Sequence, residues 1–435
     1  MEHKLPRVLI PSINVWQDTG AVRTLPEIFS CWDKEQVAQI YTKAGMPATS
    51  VCNRFFRINE NAVMKSVFRR STCTSCQVEN SFGELSDTEK QELNKQAQRY
   101  SSDNRRHSSL MALLREFVWL FGKWKTAELD RFVDDFDPDI LFVPVYPVVY
   151  MARLQLHIIK RTRKPVVCYL SDDNYSYKAA AKNPLSYLHR FWLRKGVKKI
   201  MRHCDKLFVI APKQKEEYDR IFATDSLLLT RSMDYSQISF EELVPHEPVR
   251  MIYTGKLGIG RDKTVAEVAK AVASINSQGE KIRFEVYSGD IPAEEVLSLL
   301  SRGGNRFCGC VTADKIEALQ RESDITLFAE SLHKKYKNAA RLSFSTKLTD
   351  YFKSGKCIFA IGSEDIAPID YLIREDSAVV VTDYEDIENK LRELCENPER
   401  ISEYGKKAFD CGRRNHDREK VLGDFKRIMI ETAKG

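Results

Sequence analysis

Short apolar runs recur along the 435-residue chain, and each is followed by a longer stretch in which apolar positions repeat with a helical period. In the first half these runs, rich in β-branched and aliphatic residues, lie at 8–10, 37–41, 140–143, 166–170, 206–210 and 226–229. In the second half they lie at 251–253, 283–287, 306–308, 325–328, 357–361 and 378–381. Buried strands that alternate with helices predict parallel sheets with helices on both faces. The pattern therefore predicts an α/β protein with two doubly wound, Rossmann-like domains.

The boundary between the two series is predicted at the two prolines of segment 244–249, since proline resists both helix and sheet. We expect an N-terminal domain at 1–245 and a C-terminal domain at 246–418. A last helix at 419–435 is expected to pack back on the N-terminal domain. The segment 87–135 departs from the strand–helix rhythm and predicts a helical insertion in the N-terminal domain.

Composition adds limits on the class of protein. Apolar residues make up 43% and charged residues 30%, which excludes a disordered chain. The sequence shows neither a signal-peptide pattern nor the ~20 consecutive apolar residues that span a bilayer, so we expect a cytoplasmic protein. The eleven cysteines are expected as free thiols. Neither Cys73–Cys76 nor Cys308–Cys310 has a second ligand pair, so no metal site is predicted.

The net charge of +7 permits an anionic partner without naming one. Eight Lys or Arg and several aromatic residues are concentrated at 182–206. Together with Trp119 and Trp124 of the insertion, this stretch suggests peripheral contact with an anionic membrane surface. The alternative is a solvated helix with Phe191 and Trp192 packed inward.

Three loops of the second half carry candidate chemistry, the first between the strand at 251–253 and a helix expected to begin near Thr264. Its glycines let the backbone approach a ligand, and its cations suit a diphosphate. These residues are Gly255, Gly258, Gly260, Lys256, Arg261 and Lys263. The alternative is an ordinary flexible loop with solvated charges.

The second loop leads into a helix that is expected to begin at Ser345 or Thr346 and to end before Gly355. Free N–H groups at a helix start bind anions, and Asp350 lies one turn further in, beside Lys347. A capped core helix with a surface Lys–Asp pair is the alternative. The third loop places Glu330 at the end of a strand, where it is equally explained as a helix-starting or a surface residue.

The motifs Tyr-Thr-Gly-Lys-Leu-Gly at 253–258 and Ser-Thr-Lys-Leu-Thr-Asp-Tyr at 345–351 resemble the donor half of retaining GT-B glycosyltransferases, in particular family 4 and its bacterial polysaccharide-building relatives. The resemblance extends from Met251 to about Phe425. It implies two domains that face each other across a cleft. It also implies that Lys256 with Arg261 or Lys263 binds the donor diphosphate, that the backbone of Ser345, Thr346 and Lys347 binds it too, and that Asp350 binds the ribose.

The chain departs from this family at two positions. The acidic residue that faces the transferred sugar usually lies eight positions before the ribose carboxylate, and that position is Leu342. The nearest comparable carboxylate is Glu330, which we take as the candidate. Asp350 replaces the usual Glu.

The first half matches the family more loosely. The first-strand loop contains Gly20, where GT-B enzymes approach the donor phosphate and the acceptor. Asp172 and Asp173 follow another strand and are expected at the edge of the interdomain cleft, where one of them would orient an acceptor hydroxyl. The alternative is an aspartate that caps the next helix.

The resemblance implies a retaining hexosyltransferase that moves a sugar from a nucleotide-diphosphate sugar to a saccharide or lipid-linked saccharide, in cell-surface polysaccharide biosynthesis. It implies no metal and no other cofactor. A nucleotide-sugar 2-epimerase of the same fold is one alternative. A non-catalytic anion- or nucleic-acid-binding protein is another, but a single basic-aromatic stretch is less than a nucleic-acid platform requires, so no nucleic acid is expected.

Overall fold

The computed structural model describes residues 4–18, 24–82, 109–242, 244–338 and 340–435, in two compact units. The first unit comprises Met1–Val209, Tyr218–Leu229 and Leu422–Gly435. The second comprises Ile210–Glu217 and Thr230–Val421. The proline segment 244–249, where the sequence predicted the boundary, lies inside the second unit.

The first unit contains an eight-stranded sheet in the order β4-β3-β2-β1-β5-β6-β7-β8. Its strands are β1 Val8–Ser12, β2 Val37–Tyr41, β3 Arg54–Ile58, β4 Ser75–Val78, β5 Ile140–Pro144, β6 Val166–Leu170, β7 Lys206–Val209 and β8 Leu227–Leu228. Neighbouring strands are parallel except for the antiparallel pair β3–β4. The central strands β1, β5 and β6 are buried along their whole length, as expected for a parallel sheet covered on both faces.

The described helices of this region have clear local causes. They are α1 Thr24–Ile28, α2 Glu60–Ser66, α3 Ser109–Phe121, α4 Ala127–Phe136, α5 Val149–Thr162, α6 Pro184–Met201 and α7 Pro212–Phe222, with a 3₁₀ turn at Tyr177–Ala179. The Thr126 side chain caps α4, and the Asn183 side chain caps α6, which has Pro184 in its first turn. The predicted insertion is thus two helices, α3 and α4, from 109 onward, and its part before 109 lies outside the described residues.

The second unit contains a six-stranded, all-parallel sheet in the order β11-β10-β9-β12-β13-β14. Its strands are β9 Val249–Thr254, β10 Ile282–Tyr287, β11 Asn305–Gly309, β12 Ile325–Ala329, β13 Cys357–Ile361 and β14 Val379–Val381. The order reverses between β9 and β12, which makes this point a topological switch. Its core is formed by the apolar faces of the sheet and of the helices that cover it.

The helices that follow β9 complete this unit and return the chain to the first. They are α8 Arg261–Ile275, α9 Glu294–Leu299, α10 Ala313–Glu322, α11 Lys334–Lys337, α12 Thr346–Ser354, α13 Ala367–Arg374, α14 Ile387–Glu396, α15 Glu399–Asn415 and α16 Arg418–Lys434, with 3₁₀ turns at Asn276–Gln278 and Tyr384–Asp386. From Leu422 onward α16 belongs to the first unit, where Phe425 packs against the rings of Phe29, Trp32, Phe142 and Phe208.

The predicted α/β class with two doubly wound domains is confirmed, and two local predictions are wrong. Strands β3 and β4 were missed because the first carries two arginines and the second has no apolar run. Helix α8 begins at Arg261 rather than near Thr264, so Arg261 and Lys263 lie in its first turn and not in the preceding loop.

Candidate functional site

Three of the predicted segments follow strands or begin helices at the carboxyl edge of the second sheet. The loop 255–260 follows β9, and Glu330 follows β12 directly. These are the two strands between which the strand order reverses, so the loop and the carboxylate are neighbours. Helix α12 also begins at this edge, because helices that cross over a parallel sheet run antiparallel to its strands.

The glycine loop is held in place by its neighbours. Gly255 has a φ of 149°, and a Cβ at this position would lie 1.9 Å from the Lys347 Nζ, so only glycine leaves room for the lysine. The Leu257 N–H donates to the Asp290 carboxylate at 2.8 Å. Gly258, in contrast, faces open space and needs no glycine for steric reasons. The loop at 255–260 and the start of α12 therefore meet at Gly255.

Arg261 and Glu330 form a bidentate ion pair across the switch point. The Arg261 Nη2 lies 2.8 Å from Glu330 Oε1, and its Nε lies 3.2 Å from Oε2. Burial alone would lower the pKa of Arg261, but Glu330 outweighs it and the net shift is upward. The hydroxyl of Thr264 also donates to the Glu330 carbonyl at 3.0 Å, which ties α8 to the end of β12. The structure thus brings Arg261 and Glu330 together and occupies both carboxylate oxygens.

Lys347, in the first turn of α12, carries a partly buried cation. Its Nζ lies 5.0 Å from the centre of the Tyr253 ring, and among the described residues no carboxylate is within ion-pairing distance. Burial and the nearby Arg261 lower the pKa of Lys347 to about 8. A half-buried ammonium next to a second cation favours an anionic ligand.

Asp350 is paired with Arg231, an arginine that no sequence motif indicated. The Arg231 Nη1 lies 2.9 and 3.0 Å from the two carboxylate oxygens and 3.3 Å from the Thr346 carbonyl. Burial raises the pKa of Asp350, and Arg231 opposes that shift. Arg231 and Asp290 were missed because their partners lie far away in sequence.

The remaining predicted donor residues have less protein around them. The side chains of Lys256 and Lys263 are exposed, as is Thr346. Ser345 occupies the N-cap position of α12, but its side chain makes no capping hydrogen bond. The Leu348 N–H donates to the Ser345 carbonyl at 3.1 Å. The N–H groups of Thr346 and Lys347 are therefore the first-turn donors that remain for another acceptor in the part of the chain that the structure describes.

The predicted acceptor residues lie in the first unit. Asp172 is exposed, whereas Asp173 is buried. Asp173 accepts hydrogen bonds from the Ser176 N–H at 2.8 Å, from the Ser176 hydroxyl, and from the Tyr218 hydroxyl at 3.3 Å. This geometry holds the turn after β6. It is not the helix cap that the sequence left open as an alternative, because Ser176 is the N-cap of the 3₁₀ turn and Asn183 that of α6. Gly20 lies outside the described residues.

Trp119 and Trp124 cannot act as exposed interfacial anchors, since they are 0% and 7% exposed. That part of the membrane prediction is wrong, because these indoles pack inward. Phe191, expected inward in the alternative, is instead exposed. None of the described helices is long and apolar enough to cross a bilayer.

Across the described ranges, no three His, Cys, Asp or Glu side chains are grouped so that they could hold a metal ion. All eleven cysteines are free thiols, and Cys73, Cys76 and Cys310 are exposed. The expectation of a metal-independent site stays a prediction.

Comparison with solved structures identifies the architecture. The protein Alr3699/HepE of Anabaena, solved in complex with UDP, aligns over 98% of this chain and 100% of its own, with a TM-score of 0.60 and 10% identity. Sucrose-phosphate synthase of Thermosynechococcus elongatus aligns over 98% and 99%, with a TM-score of 0.57 and 11% identity. A glycosyltransferase of Rickettsia africae ESF-5 aligns over 99% of both chains, with a TM-score of 0.55 and 12% identity. The chain has the GT-B fold.

Structural similarity at such low sequence identity establishes the GT-B fold alone. Neither the known family profiles nor the curated protein sequences give a match to this chain. Membership of family 4 within the GT-B proteins therefore stays a prediction.

Proposed function

We propose that the protein is a glycosyltransferase that takes a sugar from a nucleotide-diphosphate sugar bound at the carboxyl edge of the second sheet. The observation that carries this proposal is the position of Lys347. Its ammonium lies at the topological switch point, against a glycine loop and at a helix start, with no carboxylate partner among the described residues. A diphosphate is the anion that this combination of cation, loop and helix N–H groups fits.

The chemistry of transfer explains why these groups would be needed. When the glycosidic bond to the donor breaks, the leaving nucleoside diphosphate gains negative charge. A lysine 4 Å from phosphate contributes about 4 kcal/mol at an effective dielectric near 20. The helix dipole adds about 0.3–1 kcal/mol. Lys347 is therefore expected to contribute more than the N-cap of α12.

The other donor residues take roles that follow from their partners. Arg261 is oriented by Glu330 and presents its remaining N–H donors to the diphosphate, so Glu330 acts as a positioning residue. Asp350 is oriented by Arg231 and accepts hydrogen bonds from the two ribose hydroxyls. Lys256 and Lys263 add cations at the rim.

The finer identity of the reaction rests on the resemblance and on the solved relatives. HepE has been solved with UDP-glucose as well as with UDP, which supports a UDP-sugar as the first donor to test. The family motifs support a retaining, metal-independent hexosyltransferase of family 4 that acts in polysaccharide biosynthesis. The acceptor would be a saccharide or a lipid-linked saccharide, with Asp172 as the exposed carboxylate that orients its hydroxyl.

Binding of UDP by titration calorimetry tests the donor site directly. We expect Lys347→Met to weaken UDP affinity by about 10- to 100-fold, the value of one charge-assisted hydrogen bond. The same variant should melt at the same or a higher temperature without ligand, since it removes a half-buried charge. Lys256→Ala should weaken binding less.

Lys281→Met is the matched control, because this exposed lysine precedes β10 at the opposite edge of the sheet. Equal UDP affinity in wild type and Lys347→Met would rule out the proposed site. Release of UDP with an acceptor present would support transfer, and an epimerised donor formed without any acceptor would support the isomerase instead.

A further inference from the structure

Helix α3 exposes the side that a helix on a sheet normally buries. Six large apolar side chains point outward, each 45–65% exposed, at intervals of three and four residues. They are Leu110, Met111, Leu114, Phe117, Leu120 and Phe121. Contiguous exposed apolar surface of this kind marks an interaction site.

The inner side of α3 fixes this orientation. The buried Glu116 accepts a hydrogen bond from the Val149 N–H, at the start of α5, at 2.8 Å. The Trp119 ring stacks on Tyr150 with centroids 4.2 Å apart, and Arg115 forms an ion pair with Glu60 at 2.6 Å. Rotating α3 so that its apolar side faced inward would break all three interactions. These interactions therefore keep the apolar side of α3 exposed.

The apolar face of α3 continues onto α6, which packs beside it. Leu185, Leu188 and Phe191 are exposed along α6. A cavity of about 390 Å³ opens between α3, α5 and α6, and its apolar lining includes Phe117, Leu120, Leu156 and Trp192. We call the outward side of α3 together with these α6 residues the α3–α6 face.

The charged side chains that the structure describes along α6 and just beyond the end of α3 are cations. Helix α6 contains no Asp or Glu, and its Lys195, Lys198 and Lys199 are exposed. Lys123 and Lys125 are exposed just beyond the end of α3, whose own carboxylate, Glu116, is buried on the inner side. A second copy of the chain would bring the same cations against these, whereas an anionic surface complements them.

We propose that the α3–α6 face docks on the surface of an anionic phospholipid bilayer. Phe117, Leu120 and Phe121 enter the boundary between headgroups and acyl chains, and the lysines lie at the level of the phosphates. The proposal concerns the first unit alone and stands independently of the proposed reaction.

Sedimentation with large unilamellar vesicles tests the docking. Binding is expected to vesicles of phosphatidylcholine mixed with phosphatidylglycerol, weaker to phosphatidylcholine alone, and weaker again as salt is raised. The double variant Phe117→Ser with Leu120→Ser should lower vesicle affinity at least about tenfold, since each side chain contributes its burial in the boundary. Ile373→Ser, an exposed apolar side chain of α13, should have no effect.

The charge contribution is tested separately. Lys199→Glu should lower affinity for the mixed vesicles about tenfold at low salt, and Lys281→Glu should not change it. Circular dichroism and melting curves establish that each variant is folded. Absence of vesicle binding, or equal binding of the folded variants, would overturn the proposal. A dimer that is detected by light scattering and abolished in the double serine variant would also overturn the proposal. The α3–α6 face would then bind a second copy of the chain.

Discussion

Lys347 shows how a residue type becomes a functional residue only through its surroundings. Its sequence context predicts a lysine in the first turn of a helix, and an exposed Lys–Asp pair with Asp350 was the plain alternative. In the structure Asp350 is paired with Arg231 instead, and Lys347 faces Gly255 and Tyr253. In the described ranges no carboxylate therefore pairs with the Lys347 ammonium, which favours binding of an anionic ligand.

The lowered pKa of Lys347 predicts a pH dependence of nucleotide binding. Its pKa is about 8 in the free protein, and a bound diphosphate raises it by opposite charge. The ammonium is present below pH 8 and is lost above it, so UDP affinity should fall by up to about tenfold per pH unit above 8. Lys347→Arg should flatten this profile, because arginine keeps its charge.

Calorimetry from pH 7 to 9.5 in buffers of different ionisation enthalpy provides the measurement. Proton uptake on binding should appear near pH 8 to 9 in the wild type and vanish in Lys347→Arg. The same steep profile in both proteins would show that another group titrates.

At this scale the sequence selected residues that the structure brings to one edge of the second sheet, but it did not predict their partners. Lys256, Arg261, Lys347, Asp350 and Glu330 were selected from motifs and strand ends. Their ion pairs join residues 69 and 119 positions apart, which no local pattern encodes. Sequence patterns therefore indicated Asp350 without Arg231 and the loop without Asp290.

At the scale of single elements, the glycine loop 255–260 contains a residue with a strained backbone. Ile259 lies between Gly258 and Gly260 with a φ of 61°, a left-handed conformation that a β-branched side chain adopts at a cost of about 1–2 kcal/mol. Its side chain is 49% exposed, so packing is not what holds it there. Strain of this kind is typical of loops that are shaped for a ligand.

Relief of this strain can be measured. Ile291 is an exposed isoleucine without a positive φ and serves as the control. We expect Ile259→Gly to lower the free energy of unfolding by about 1 kcal/mol less than Ile291→Gly does. The donor KM of Ile259→Gly should rise, because the loop loses its preset shape. Equal destabilisation by the two substitutions would show that the conformation at 259 is not strained.

The hydrophobic pattern predicted the central strands of both sheets, but it missed the outer strands β3 and β4 of the first sheet. Strands such as β2, β6 and β13 match their predicted bounds because strands buried on both faces are continuous apolar runs. Strand β4 pairs with β3 alone among the strands that the structure describes, and its sequence is that of a polar segment. Helix α3 was read correctly as amphipathic, but amphipathicity does not say which side faces the sheet.

At the scale of the whole second unit, a buried histidine couples stability to pH. His416 lies between the rings of Phe344 and Phe352 and is hydrogen-bonded to Thr230 and Tyr371 at 2.9 and 3.0 Å. Burial lowers the pKa of His416 to about 4, from an ordinary value of 6.5. The unfolded chain therefore binds a proton below pH 6.5 that the folded chain does not bind until about pH 4.

The consequence is a loss of stability on acidification. Full stability from this group is present above pH 6.5, and lowering the pH from 7 to 5 should reduce the free energy of unfolding by about 2 kcal/mol. Urea unfolding at both pH values measures it. His416→Gln should be less stable than the wild type at pH 7, but its free energy of unfolding should fall by about 2 kcal/mol less between pH 7 and pH 5. An unchanged pH dependence in this variant would show that another group causes the effect.

The return of α16 to the first unit has a consequence for how the protein is made. Phe425 completes a cluster with Phe29, Phe142 and Phe208, so the earliest-synthesised sheet lacks part of its core until residues 422–435 have left the ribosome. The second unit is almost continuous in sequence and has all of its strands by residue 381. The segment that completes the core of the first sheet is thus translated after the whole of the second unit.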